Sequence, residues 1–219
     1  MNDLKKSLKL ITYSVGVKRQ FAMVAIFLVV GIIIEIVTKC SNVLGGFYIA
    51  LVGAVPGQMI LLVTVPNAVK ASPYYHKITV QMSAVLNFLF ELFCYTIVVV
   101  IHGIYAAANP ESADVSMDIV FIVGMVVFIT QVLYPMMYKH YWITFFVLLI
   151  AVMGLFAPLG QFIYGYQSMH LPIPVYVLGG YGLVVLGMLG SMLVNHIFYK
   201  HELDPMTYKS MMKKIDGSF

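Results

Sequence analysis

The chain has 219 residues, of which 61% are hydrophobic and only 10% charged, with a formal net charge of +4. Ordinary soluble domains carry roughly 25% charged residues, and a water-soluble chain of this length has no interior large enough for so much apolar surface. Composition excludes a soluble globular fold and any large soluble domain, and points to a polytopic membrane protein whose solvent is the lipid bilayer.

The N-terminal stretch "MNDLKKSLKLITYSVGVKRQF" is basic. It lacks a short apolar core followed by a small-residue cleavage site, so the first apolar run is expected to stay as an anchor. Leu4–Arg19 sets Leu4, Leu8 and Ile11 near one helical face and Lys5, Lys6 and Lys9 elsewhere. That is the pattern of an amphipathic helix lying on an anionic membrane surface, and simple topology anchoring explains it equally well.

A membrane span needs about 20 mainly apolar residues. Six runs qualify: Phe21–Val37, Val43–Val65, Met82–Ala106, Ile119–Tyr138, Trp142–Tyr164 and Pro174–Phe198. The expected fold is all-α, one transmembrane domain over 1–219. It comprises an N-terminal amphipathic interfacial helix (1–20), a six-span bundle (21–199) and a short basic cytoplasmic tail (200–219), which either lies along the membrane like the first helix or simply anchors the topology.

In the first span Glu35 stands four residues before Lys39, the spacing of a helical ion pair. The second span contains "AVPGQ", where Pro56 and Gly57 remove a helical hydrogen bond and predict a kink. Gly53 with Gly57, and Gly187 with Ser191, have the spacing of close helix crossings. The second and third spans are joined by "VTVPNAVKASPYYHKITV", Val63–Val80. Pro66 suits a first helical position, and Ser72–Pro73 suits the cap and first position of the next helix. The spacing predicts a short helix from Asn67 through Lys70, then Ser72, Pro73, Tyr74, Tyr75, His76 and Lys77 leading into the third span. Such a segment is either a rigid knob on which a soluble partner docks or an ordinary loop.

Asn87, Glu91 and Tyr95 recur every four residues on one face of the third span. Polar groups at membrane depth need partners and mark functional sites. This face is either the wall of a translocation path, with Gln58 a further contributor, or a hydrogen-bonded clamp between helices. His102 and Asn195 read as helix–helix hydrogen-bonding or interface positions. Ala107–Asp118 is the longest outer loop, and "GLFAPLGQFIYGYQ" breaks the fifth span at Pro158 and Gly160 into two short pieces dipping back into the membrane. The "GGYG" at Gly179–Gly182 reads as glycine for close packing. Cys40 and Cys94 make no disulfide framework and read as inert apolar thiols.

Cytoplasmic loops carry the excess of lysine and arginine. Twelve of the 13 such residues fall on the side of the two termini, the second-to-third connection and Lys139; Lys39 alone falls on the other. Both termini and the segment bounded by Pro66 and Pro73 are therefore expected in the cytoplasm of a cell-membrane protein. The chain has no G-x-x-x-x-G-K-[ST], no H-E-x-x-H and no G-x-S-x-G. His196 and His201 are about 140° apart around a helix, poor for sharing a metal. No catalytic residue, metal site or cofactor is expected on the chain itself, nor any nucleic-acid partner.

These features together resemble the membrane (permease) subunits of type-2 ATP-binding-cassette exporters. There a coupling helix between the second and third spans is followed by a motif like L-x-S/L-P-x-S-R. Here "VKASPYYHKITV" matches at Ser72–Pro73, Tyr75–His76 replaces the usual small residue and arginine, and Lys77 supplies a positive charge. "FAPLGQFIY" is similar to the family's re-entrant outer helices, and "GSMLVNHIFYKHELDP" to its closing pattern. The resemblance covers the whole chain in architecture and is greatest to bacterial exporters of amphipathic or antimicrobial peptides, such as the phenol-soluble-modulin exporters. It implies a dimer of permeases, either two copies or this chain with a paralogue, and two separate ATPase chains that hold ATP and magnesium. The cargo is then an amphipathic peptide, toxin or lipophilic compound, and Asn67–Lys77 is the coupling segment. The alternative of another class is a stand-alone protein without ATPase, a proton-coupled carrier using Glu91 or a peptide-binding immunity protein. A neighbouring reading frame with P-loop and signature motifs distinguishes the first from the second.

Overall fold

The computed structural model describes residues 2–14, 16–140, 143–144, 146–148, 150–151, 171–201, 205 and 208–209. The chain is all-helical, with no strand among the described residues. Five stretches are long and apolar enough to cross a membrane: Val17–Val37, Leu44–Val63, Lys77–Ala108, Pro110–Met137 and Ile173–Phe198. They match the first four expected spans and the sixth. Most of the expected fifth span, Trp142–Tyr164, lies outside the described residues, as do both of its break positions, Pro158 and Gly160.

The expected single helix over Leu4–Arg19 is divided. Helix α1 (Asn2–Ile11) ends in a turn, and Gly16 at φ 69 starts α2 (Val17–Val37). A left-handed residue suits glycine, which has no Cβ to clash. Ile11 is buried in a cluster with Met59, Ile60 and Leu86, while Leu8 stays half-exposed. The second span also divides, at Ala54, into α3 (Leu44–Gly53) and α4 (Val55–Val63). Pro56 lies in the first turn of α4, where its missing N–H has no intrahelical partner to lose.

The four-residue α5 (Asn67–Lys70) follows. The chain then enters α6 (Ser83–Ala108) through a π-helical turn, Lys77–Met82. The expected outer loop over Ala107–Asp118 shrinks to Asn109–Ser112. Asn109 closes α6 on the Tyr105 carbonyl, Pro110 opens a 3-10 turn, and α7 (Ala113–Lys139) begins with Asp114 in its first turn. A carboxylate there complements the helix dipole, so polar residues that read as loop are a helix start.

Helix α8 (Ile173–Phe198) packs along α7 more extensively than any other pair among the described residues. Glycines allow it: a Cβ on Gly124 would lie 3.0 Å from the Gly180 Cα, and one on Gly187 2.9 Å from the Gln131 side-chain oxygen. Helix α6 is central and touches α3, α4, α7 and α8. Helix α2 packs on α3 through Gly31 and Gly45 but is otherwise peripheral, with 11% of its apolar window buried.

Candidate functional site

Two sets of residues singled out in the sequence are brought into defined settings, one at the α5 end of the bundle and one along the buried face of α6. At the α5 end, Pro66 starts the turn, its carbonyl accepting from the N–H groups of Val69 and Lys70. The Ser72 hydroxyl accepts the Tyr74 N–H at 3.2 Å, and the Tyr74 carbonyl accepts the Ile78 N–H, so Ser72 caps the helix that leads into the π-helical turn. Pro73 and Tyr74 are exposed, Tyr74 at 66%.

The next two side chains turn the other way and grip the end of α8. The Tyr75 hydroxyl donates to the Tyr199 carbonyl at 2.9 Å, and burial pushes its phenol pKa upward. The His76 and His196 rings meet through Nε2 and Nδ1 at 3.1 Å, and His76 stands edge-on to Tyr199 with ring centroids 4.8 Å apart. Lys77 and Tyr74 border a groove of about 450 Å³ against α1, also lined by Lys6, Lys9 and Leu10. The segment is thus held to the end of α8 and faces α1 across the groove. Asn67 contributes its backbone to α5.

Lys70 faces a second cation. The buried Lys139 donates to the His201 carbonyl, and its pKa falls to about 8, first through burial and then through the nearby charge of Lys70. Because the folded value lies below the ordinary 10.5, the unfolded chain binds the extra proton. The stability penalty is full below about pH 8 and is relieved as pH rises toward 10.5. Amine labelling titrated against pH and read by mass spectrometry is expected to give half-reaction of Lys139 near pH 8. Lys70→Gln is expected to move that midpoint upward; an unchanged midpoint removes Lys70 as a cause.

Along α6, Ser83, Asn87, Glu91, Tyr95 and His102 are all at 0% exposure. They form a polar row about 28 Å long at 1.5 Å per residue. Three of them, Asn87, Glu91 and Tyr95, meet a closely fitted glycine surface. A Cβ on Gly57 would lie 2.7 Å from the Asn87 side-chain oxygen, one on Gly53 2.2 Å from Glu91 Oε2, and one on Gly180 1.7 Å from the Tyr95 hydroxyl. Thr130 donates to Glu91 Oε1 at 3.4 Å, and Tyr95 donates to the Val120 carbonyl at 3.3 Å. Asn195 bonds Ser83 and Tyr134 at 3.3 and 3.2 Å. Gln58 is only partly buried, whereas Asn87, Glu91 and Tyr95 fill the seams between α6 and α3, α4, α7 and α8.

Glu35 corrects an expectation. Its partner is not Lys39, which is exposed in the turn after α2 at φ 52. The helix ends at Val37, so the i,i+4 geometry does not reach residue 39. Glu35 is fully buried, and its Oε2 lies 3.2 Å from His102 Nε2. Ser83, Ser116, Thr130 and Tyr134 carried no sequence signal, since a hydroxyl within an apolar run is ordinary; only the tertiary contact marks them.

No family model, curated protein or solved structure matches the chain.

Proposed function

We propose that this chain is the permease subunit of an ATP-driven exporter of the type-2 ATP-binding-cassette kind. It works in the cell membrane with both termini in the cytoplasm. Two copies, or this chain and a paralogue, surround a path, and two ATPase chains dock below and hold ATP and magnesium. The cargo is an amphipathic peptide or other lipophilic compound.

The observation that carries this reading is the double anchorage of the segment after α5. Tyr75 and His76 hold the end of α8, the π-helical turn continues directly into α6, and Tyr74 projects outward. A push delivered at Tyr74 therefore reaches two long helices at once. The outer faces of α2 and α8 are apolar and exposed, Val37 at 74% and Leu178 at 70%, and suit lipid or a second permease.

The test is co-purification of the chain with the ATPase encoded beside it, followed by ATP turnover and export of a labelled amphipathic peptide from vesicles. Replacing Tyr74, Tyr75 and Lys77 together by alanine is expected to lower ATPase retention and coupled turnover at least about tenfold, as loss of an interface hot spot does. Tyr74→Ala alone, at the most exposed of the three, weakens both without disturbing the fold. Unchanged binding and turnover in the triple variant would reject the coupling assignment.

A second reading draws on the polar row of α6. Glu91, and Glu35 with His102, are ionisable groups at full burial, the kind of side chain that relays protons in carriers. In that case the protein works without an ATPase.

A further inference from the structure

The end of the bundle opposite α5 holds a cluster that the exporter reading leaves unused and whose cysteine neither reading uses. Glu35 closes α2, Cys40 sits in the α2–α3 turn, and His102 comes from the last part of α6. Their carboxylate, thiol and imidazole ligand atoms lie within 4.8 Å of one another, and all three residues are buried.

The hydrogen bonds around the cluster set its chemistry. Ser116 Oγ is 2.9 Å from His102 Nδ1, and the Ser116 hydroxyl donates to the His102 carbonyl at 3.4 Å. When the Ser116 proton goes to that carbonyl, Nδ1–H is the donor to Ser116 and His102 Nε2 turns its lone pair toward Glu35, the tautomer that a metal ligand needs. Neither that nitrogen nor either Glu35 oxygen has a hydrogen-bond partner. In that tautomer an imidazole lone pair and a carboxylate face each other at 3.2 Å, and a cation between them satisfies both buried acceptors. Cys40 completes the set because the turn is wound left-handed at both Lys39 and Cys40, each at φ 52. The Cys40 N–H also bonds back to the Glu35 carbonyl at 2.9 Å. Gly45 and Gly46 close over the Glu35 side chain, whose Cγ would lie 2.6 Å from a Cβ at 45, and hold the carboxylate in one pose.

We propose that Glu35, Cys40 and His102 bind a divalent transition-metal ion of the zinc class. Zinc accepts this mixture of sulfur, nitrogen and oxygen, and tetrahedral ligands at its bond lengths lie about 3.3–3.8 Å apart. The nitrogen–oxygen spacing of 3.2 Å is within about 0.1 Å of that range, and the thiol, with all ligand atoms within 4.8 Å of one another, needs to close by about 1 Å. Ser116 orients the imidazole from behind, the outer-shell arrangement that metal-bound histidines use. The ion would pin the end of α2 and its turn to α6. This assignment is independent of whether an ATPase partner exists.

The purified full-length protein, stripped with a chelator and reloaded with zinc, is expected to retain about one zinc per chain through desalting. Cys40→Ser and His102→Gln lose it, and Ser116→Ala weakens it about 10–100-fold. Cobalt gives a readout that needs no ligand variant: with Cys94→Ala leaving Cys40 as the sole thiol, Co²⁺ develops a thiolate charge-transfer band and tetrahedral visible bands. A zinc content no higher than that of the His102→Gln protein, or cobalt spectra with no thiolate band, overturns the proposal and leaves Glu35 and His102 as a simple ion pair.

Discussion

Gly180→Ala is expected to destabilise the protein by at least about 3 kcal/mol, the upper end of ordinary overpacking costs. Gly182→Ala, two residues away, is expected to cost nothing. A Cβ at 180 would lie 1.7 Å from the Tyr95 hydroxyl oxygen and 2.6 Å from the ring carbon that bears it, whereas a Cβ at 182 meets nothing within 4 Å. Tyr95 has no room to withdraw. It is at 0% exposure, bonded to the Val120 carbonyl and set edge-on to Tyr181 at 5.1 Å. At 182 the added methyl lowers the entropy of the unfolded chain and favours the helix by up to about 1 kcal/mol. Thermal unfolding in detergent, followed by size-exclusion fluorescence, measures both. Tyr95→Phe in the Gly180→Ala background removes the worst overlap and is expected to restore part of the loss. Equal melting temperatures for the two alanine variants would refute the α6–α8 crossing at this glycine.

That pair of glycines also marks how far the sequence can be read. Their apolar setting identifies "GGYG" as a packing element, because hydropathy reports the solvent directly. Which glycine packs depends on helix rotation, and nothing local encodes that. The second-span break was legible for the same reason as the spans: Pro56 has no N–H to give, whatever surrounds it. The connection after α4 was partly legible, since Pro66 and the Ser72 cap act within a few residues. Its grip on Tyr199 and His196 was not, because those partners lie at the far end of the chain.

Glu35 is the instructive failure. The i,i+4 rule holds only while the helix continues, and α2 stops two residues short of Lys39, in a left-handed turn that glycine usually occupies. Once the turn reverses, the carboxylate faces α6 and finds His102. The polar residues of Ala107–Asp118 failed differently. Polarity reads as loop, yet Asp114 in a first helical turn is favourable, and α7 starts before the apolar run does.

Glu91 separates the two functional readings. Glu91→Gln and Glu91→Met are both expected to leave the protein folded. Glutamine keeps an oxygen for Thr130, and methionine follows the same unbranched course past Gly53. Thr130 is not orphaned by methionine, since its hydroxyl also bonds the Val127 carbonyl at 2.9 Å. Glu91→Lys instead puts an unpaired ammonium where the carboxylate is at 0% exposure, a change of the kind that costs about 3–5 kcal/mol. If force enters through Tyr74 and the segment behind it, peptide export driven by ATP persists in both the glutamine and the methionine variants. Their common property is a sound seam between α6 and α3, and the carboxyl proton plays no part in it. If instead Glu91 carries a proton across the bundle, glutamine abolishes transport while the fold stays intact, because an amide neither releases nor accepts that proton. Folded Glu91→Gln protein that no longer transports would sink the exporter mechanism argued from the α5 end and favour a proton-coupled carrier. Retained transport in the glutamine variant makes the α6 row a structural clamp, with Gly53 and Gly57 as the surfaces that close on it.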